Sequence, residues 1–484
     1  MSDLSKQAAL LGMADFFRFF LKTLIGIALA RLLTPQDLGS YRQLFLIYST
    51  LSGVLLLGFP QSLQYFLPKS STHLERIRLI TRTMNVVSGL GLICAAILWF
   101  GRQPIALAFN NPDLARLLPI YSIYPIFIFI TQIYSSIMLG LKESGRSASF
   151  LIYAILCDLV IVLGVAVWSR DLQMIVLAVV FSALLQWLYA IWNLRKLNNG
   201  WDFANFKGFR TQLDYTIPLG LSLLVGVLSV QLDKLMISGF FNPEQFAVFS
   251  LGAIELPLIG IIINSVNAIL LPNISALDKN SMSDIFRASV RKNAILVFPL
   301  TVVFFIYARE FITFVYGNIY LESALYFRIY LLLLPLRVAT YGIIFQARGK
   351  TRLVMYDAII MLFLNAILNY LLIRIWGMKG AAWATVIVSW LILLVYLWQI
   401  KYPLELKLSA LFPIPQLIRN AICALLPLAA VIPISALISS SFIRMIVGGS
   451  LYMLLYLGVC RLLRVILPID VDFALSLLKF RKQS

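Results

Sequence analysis

Residues 28–41 read ALARLLTPQDLGSY, and residues 238–249 read SGFFNPEQFAVF. The second stretch restates the first. Pro35 aligns with Pro243, Gln36 with Glu244, Leu38 with Phe246 and Tyr41 with Phe249, an offset of about 208 residues. Each copy follows one long apolar run and precedes another. The pattern predicts a proline turn near the end of an apolar helix, used twice. Duplicated halves in an apolar chain point to a transporter with its site between them.

The repeat continues. SGRSASFLIYAIL at 144–156 stands opposite RGKTRLVMYDAII at 348–360, with Ala154 against Ala358 and Ile155 against Ile359. The alternative is chance similarity between apolar segments. Six helices per unit is an even number, so both halves enter the membrane in the same sense, as parallel repeats do.

Composition agrees with a membrane chain. Of 484 residues, 61% are hydrophobic and only 13% are charged, yet the formal net charge is +19. Soluble domains are about 45–50% apolar. In a soluble protein such a charge suggests nucleic acid. In an apolar one it suggests basic inner loops together with an anionic ligand, and no nucleic acid is expected. Cys94, Cys157, Cys423 and Cys460 are far apart with no CxxC pair, so they read as buried apolar residues. His73 is the only histidine, which argues against a His-based metal or catalytic site. The first apolar run is too long and too charged for a signal peptide, so it is expected to remain as a span.

A helix needs roughly 20 apolar residues to cross the hydrocarbon, which gives about fourteen candidate spans. Six lie near 9–31, 41–66, 79–100, 115–140, 147–168 and 173–194. Six more lie near 213–240, 245–271, 290–314, 324–347, 353–374 and 379–400, and a final pair near 415–438 and 442–465. The expected fold is therefore all-α and polytopic. An N-terminal lobe spans 1–196, a cytoplasmic linker 197–211, a second six-helix lobe 212–402, and two additional helices with a cytoplasmic tail 403–484. With both termini inside, about 26 Lys and Arg fall on the inner side, about 10 on the outer side and about 4 within the membrane. The connections are too short for an appended soluble enzyme domain.

The sharpest chemical signal is in the first span, GMADFFRFFLKTLIGIALA. Asp15, Arg18 and Lys22 fall at i, i+3 and i+7, on one helical face that Gly26 continues. Charges at membrane depth are costly and tend to face a bundle interior or a watery cavity. The competing reading is a local Asp15–Arg18 ion pair with Lys22 snorkelling. Under the 208-residue offset Arg18 falls on Gly226 and Lys22 on Val230, so the halves are alike in framework and unlike in charge. In that counterpart span, Ser222, Gly226, Ser229 and Asp233 share a nearly neutral face, a spacing that suits close helix packing. Asp233-Lys234 reads as a local pair or the lining of an outer vestibule. Arg337, mid-span in PLRVATYG, is expected at the cavity. Asp158 and Glu255 divide between proton or sodium coupling and structural pairing, and Asp357 is expected to be solvated near the inner end. Gln61, Gln64, Gln132, Asn264, Asn267, Asn365 and Asn369 suit either sugar hydroxyls or interhelical bonds. Arg and Lys recognise phosphate by charge-assisted bonds, so a positive cavity suits a phosphate or diphosphate headgroup. Gly349-Lys350-Thr351 ends like a P-loop, but Ile344 stands where its first glycine belongs, so ATP hydrolysis is not expected.

TLIGIALARLLTPQDLGSYRQL at 23–44, with LDKLMISGFFNPEQFAVFSL at 232–251, resembles the Wzx-type polysaccharide and O-antigen flippases. These belong to the multidrug/oligosaccharidyl-lipid/polysaccharide exporter superfamily. The resemblance covers nearly the whole chain. It implies two lobes of the kind seen in multidrug exporters of that superfamily, working by alternating access in the bacterial inner membrane. It implies an undecaprenyl-diphosphate-linked oligosaccharide as substrate, with a polysaccharide polymerase and a chain-length regulator as candidate partners. It implies no cofactor beyond a coupling H+ or Na+. Mapped by position, it supports Arg31, Pro35 and Gly39 in the first motif, and Asp233, Lys234 and Pro243 in the second, as lobe-shaping or substrate-binding residues. Ala247 stands opposite Gly39, so the second motif departs from the first there.

The sequence thus reads as a flippase for an anionic lipid-linked oligosaccharide, not an enzyme. Arg18, Lys22 and Arg337 are the expected headgroup contacts, Asp15 orients Arg18, and no metal site is expected. Lipid II flippases are the nearest alternative. A membrane polymerase or ligase of lipid-linked O-antigen is a rival of another class, but it calls for a large outer loop that is lacking here.

Overall fold

The computed structural model describes residues 3–197, 208–256, 259–260, 263 and 279–465. The expected eighth span near 245–271, Asn264, Asn267 and the cytoplasmic tail lie wholly or largely outside them. Every regular element among the described residues is helical.

The repeated motif breaks one helix and starts the next. Helix α1 (Asp3–Leu32) ends with Arg31 in its last turn, where a cation complements the helix dipole. Thr34 then caps α2 (Pro35–Leu56): its Oγ accepts the Asp37 N–H at 3.2 Å. Pro35 takes the first helical position, where its missing N–H costs nothing. The second copy does the same. Asn242 accepts the Gln245 N–H at 2.8 Å, Gln245 Oε1 accepts the Asn242 N–H at 3.3 Å, and Pro243 opens a helix.

The chain divides into two compact units, 1–248 and 249–484. After α2, the first unit continues with α3 (Phe59–Phe66), α4 (His73–Phe100), α5 (Arg102–Ala108), α6 (Leu114–Tyr121), α7 (Tyr124–Gly140) and α8 (Ser144–Cys157). A π-helical turn, Asp158–Leu163, leads into α9 (Gly164–Ser169), followed by α10 (Leu172–Leu197), α11 (Phe209–Phe240) and α12 (Pro243–Gly252). α12 runs four residues past the division.

α11 packs within the first unit. The Gly220 backbone approaches Leu57 and Gly58 so closely that a Cβ would collide with them. Near its start, Gln212 donates to Ser62 Oγ at 3.0 Å and Thr83 Oγ1 at 2.9 Å and accepts from Arg82 Nε at 3.1 Å. Glycines and buried amides hold membrane helices together because lipid offers no hydrophobic drive for association.

The second unit contains α13 (Lys279–Ile306), α14 (Ala308–Tyr316), α15 (Ser323–Leu331), α16 (Tyr341–Ala347), α17 (Thr351–Trp376) and α18 (Met378–Lys401). It ends with α19 (Leu408–Leu411), α20 (Ile414–Leu425), α21 (Leu428–Ala436) and α22 (Ser441–Leu462). α17 and α18 form a tight hairpin about Gly377, whose φ of 59° favours glycine. The final helices are fastened by Tyr456 Oη donating to the Ile295 carbonyl at 2.8 Å and Tyr452 Oη to the Ala424 carbonyl at 2.6 Å.

Ten helical segments among the described residues are long and apolar enough to span a membrane, and up to twelve if two bent pairs each count as one. Those pairs are α2 with the chain from Phe59 to Lys69, bent 44°, and α6 with α7, bent 50°. The fold is that of a multi-pass membrane protein, and the count of fourteen is not reached within this range. α1, with 30 residues, is long enough but carries Asp15, Arg18, Lys22 and Arg31. Cys94, Cys423 and Cys460 are buried and Cys157 is half-buried, all as free thiols. No metal-binding cluster of His, Cys, Asp and Glu occurs among the described residues.

Candidate functional site

In the first unit, α1 packs along α8 and the π-turn that follows it, burying Ala14, Leu21, Ile25 and Leu29 and leaving Asp15, Arg18 and Lys22 exposed. Arg18 Nη2 meets Asp15 Oδ1 at 2.9 Å, with side chains 50% and 56% exposed. Asp15 therefore orients Arg18 without burying it. Lys22, one turn further, is exposed, and its Nζ lies 4.9 Å from the centroid of the Phe45 ring on α2. Its charged neighbours are Arg18 and Asp158, neither in direct ion contact with it. Two cations and two carboxylates thus share this region of α1 and α8, and Lys22 is the cation without a carboxylate of its own.

Asp158 opens the π-turn, a rare distortion that recurs at functional sites. Ser182 Oγ donates to its Oδ1 at 2.6 Å and Gln186 Nε2 at 3.0 Å, both from α10. Beside this polar group is an aromatic cluster. Tyr121 and Tyr124 stack at 5.0 Å, and Tyr48 meets Tyr124 edge-on at 4.9 Å. Gln132 donates to Tyr48 Oη, and Gln64 to Ser136 Oγ at 3.2 Å. These two amides join helices.

In the second unit the structure brings together two residues that the sequence could not connect. Arg337 grips Glu255 with two bonds, Nε to Oε2 at 3.1 Å and Nη2 to Oε1 at 2.6 Å. Both residues sit at breaks. Pro335 interrupts the span, leaving a short 3-10 turn, Leu334–Val338, between α15 and α16. Glu255 follows the end of α12 on non-helical backbone. Asn293 Nδ2 takes up the Val338 carbonyl at 3.1 Å, satisfying one group freed by the break. The pair is 52% and 38% exposed, and its fork-to-fork form is the strong, directional kind.

The remaining candidates lie within helices α2, α11, α12 and α17. Asp233 is buried, and its Oδ1 accepts the Lys234 N–H at 2.7 Å, while the Lys234 side chain is half-buried. Gly39 and Pro243 are helical residues in close mutual contact. Gly39 has no left-handed backbone, so it is a close-approach glycine and not a turn glycine. Asp357 overturns the expectation of a solvated carboxylate: it is fully buried and accepts Gln399 Nε2 at 2.6 Å. Asn369 donates to Asn365 at 2.7 Å and 2.9 Å within the same hairpin, so these residues too face a packed interface.

A family model described as polysaccharide biosynthesis protein matches residues 28–325. The chain belongs to that family. A curated relative, the capsular polysaccharide biosynthesis protein CapF of Staphylococcus aureus, is 25% identical over 400 residues, covering 79% of this chain and 96% of the relative. Among solved structures, the lipid II flippase MurJ in an inward closed conformation matches with a TM-score of 0.77 at 17% identity, covering 94% of this chain and 98% of that one. An inward-facing multidrug transporter of the same superfamily matches with a TM-score of 0.58 at 13% identity, covering 79% and 93%. At such identities these two show the fold alone. By their titles, the two solved neighbours are a lipid II flippase and a multidrug transporter.

Proposed function

We propose that this member of the polysaccharide biosynthesis family flips a polyprenyl-diphosphate-linked oligosaccharide, such as an O-antigen or capsule repeat unit, across the bacterial inner membrane by alternating access. The observation that carries this reading is Lys22: a cation on a helix of spanning length, beside Arg18 and without a carboxylate partner of its own. A cation so placed is costly unless an anion is its business. The diphosphate takes Lys22 and Arg18 as charge-assisted donors, and Asp15 sets the guanidinium. Arg337 contributes only when phosphate competes with Glu255 for it, so its contact is conditional on the transport state. Lys234 lines the outer part of the path. Both termini are cytoplasmic, and a polymerase and chain-length regulator receive the product on the far side.

A lipid II-type precursor is the second reading, supported by the TM-score of 0.77 to MurJ. Both substrates are diphosphate-linked, so the cationic site is common to them. A flipping assay with purified, reconstituted protein tests the proposal. Arg18→Ala, Lys22→Ala and Arg337→Ala, each shown to insert normally, are expected to lose most flipping, and full retention by all three sinks it. Cysteines placed at 205 and 318 are expected to label from opposite sides, and labelling from one side overturns the orientation.

A further inference from the structure

We infer that Asp357 is a proton-binding site, its Oδ2 carrying a proton donated as a hydrogen bond to Gln399 Oε1. Asp357 lies on α17 and is 0% exposed; Gln399 lies on α18 and is 6% exposed. One bond joins them, from Gln399 Nε2 to Asp357 Oδ1. The other two polar atoms of the pair, Asp357 Oδ2 and Gln399 Oε1, are both buried and both lack a donor. An ionised carboxylate would leave a charged oxygen and an amide oxygen stranded in the same apolar interface, each with its full desolvation cost. One proton removes both defects. Acid and amide then form a closed ring in which each group gives one hydrogen bond and accepts one.

Among the described residues, no cation pairs with Asp357. Arg348 at the end of α16, Arg352 at the start of α17 and Lys401 at the end of α18 form no ion pair with Asp357. Arg348 Nε and Nη2 themselves lack an acceptor. The titratable group that senses Asp357 is Tyr396, one turn before Gln399, which stacks on Tyr341 of α16 at 5.7 Å. In the repeat, Tyr153 occupies the position of Asp357. It stacks on Tyr189 at 4.4 Å and reaches the Leu185 carbonyl at 3.5 Å, tying α8 to α10. The two halves thus tie corresponding helices from the same position on the first of them, but only the second does so with a carboxyl group.

The proton stays bound while α17 and α18 remain packed. Water entering between them ionises the carboxyl and releases it. If the transport cycle loosens this hairpin, which rests on the flippase reading above, each cycle binds and releases one proton here.

The test uses the full-length chain in lipid nanodiscs. Infrared spectra of protein labelled at the aspartate carboxyls are expected to show, at neutral pH, a neutral carboxylic acid band that Asp357→Asn removes; absence of that band overturns the site. Asp357→Asn preserves the ring, because its amide donates to Gln399 Oε1 and accepts from Nε2, so it is expected to melt with wild type. Asp357→Leu and Gln399→Leu are expected to melt lower, and an Asn variant as unstable as the Leu variant overturns the ring. In liposomes, Asp357→Asn is expected to flip substrate without responding to a pH gradient that accelerates wild type. A normal response in that variant overturns the coupling. A wild type that flips nothing while retaining the band refutes the flippase reading instead.

Discussion

Gly39, in the second turn of α2, is seated directly against the backbone of Pro243, the first residue of α12; a Cβ on Gly39 would overlap the Pro243 carbonyl oxygen. The two copies of the repeated motif therefore touch each other.

Substituting this glycine separates close approach from helix propensity. Gly39→Ala is expected to destabilise the protein by about 1–3 kcal/mol, the usual cost of overpacking. Gly89 lies in α4 with nothing within 4 Å of its notional Cβ. Gly89→Ala is expected to be neutral or to stabilise by up to about 1 kcal/mol. Thermal melts of the two variants in one detergent check the contrast. Equal effects mean that the contact with Pro243 is not tight in solution.

The same junction is held by Gln43, which donates to Ser238 Oγ at 2.7 Å and to the Phe109 carbonyl at 3.1 Å. Asn111 in turn donates to Gln43 Oε1 at 2.6 Å and Ser40 Oγ at 2.8 Å. Gln43→Leu strands Ser238 Oγ and one N–H of the Asn111 amide, which keeps Ser40, in a buried interface. A loss of about 1–3 kcal/mol per stranded group is expected. Because Gln43 and Gly39 serve one junction, their effects should not add, which a double-mutant cycle on melting free energies measures.

What the sequence revealed depended on distance along the chain. Thr34-Pro35 and Asn242-Pro243 announce helix starts because capping is local. Asp15, Arg18 and Lys22 share a face because helical periodicity is local too. Arg337 and Glu255 are 82 residues apart, and Asp357 and Gln399 are 42 apart. No periodicity links residues so far apart, so each was read alone: Arg337 as a free cavity cation, Asp357 as a solvated acid. The close-approach role of Gly39 is hidden for the same reason: Ala247 at the equivalent position speaks against a turn role but says nothing of the Pro243 backbone, 204 residues away. The relation of α11 to α2 and α3 likewise depends on packing that a repeat does not encode.

Charge and stability are expected to separate in α1. The Asp15–Arg18 pair is half-exposed, so Arg18→Ala should change stability by about 0–1 kcal/mol. Flipping should nevertheless fall at least tenfold if Arg18 meets the headgroup. At Lys22, Arg is expected to keep more activity than Gln, since the demand is for a cation near Phe45. Initial flipping rates at matched protein incorporation decide this, and a Gln variant as fast as Arg removes Lys22 from the site.

The Arg337–Glu255 pair offers the most direct test of whether the second unit meets the substrate. If the guanidinium is only a clasp for two helix breaks, Glu255→Gln weakens the clasp, lowering the melting temperature and leaving diphosphate binding unchanged. If Arg337 must leave Glu255 to engage phosphate, Glu255→Gln removes the competitor, and binding of a soluble diphosphate analogue should tighten several-fold despite the lost stability. Arg337→Lys keeps the charge but loses the two-toothed grip, so it is expected to resemble Arg337→Ala in stability. The alanine variants of the pair should couple by about 0.5–3 kcal/mol. Calorimetric binding measured alongside melting distinguishes the two cases, because a single variant is expected to keep its affinity in the first and to bind several-fold tighter in the second.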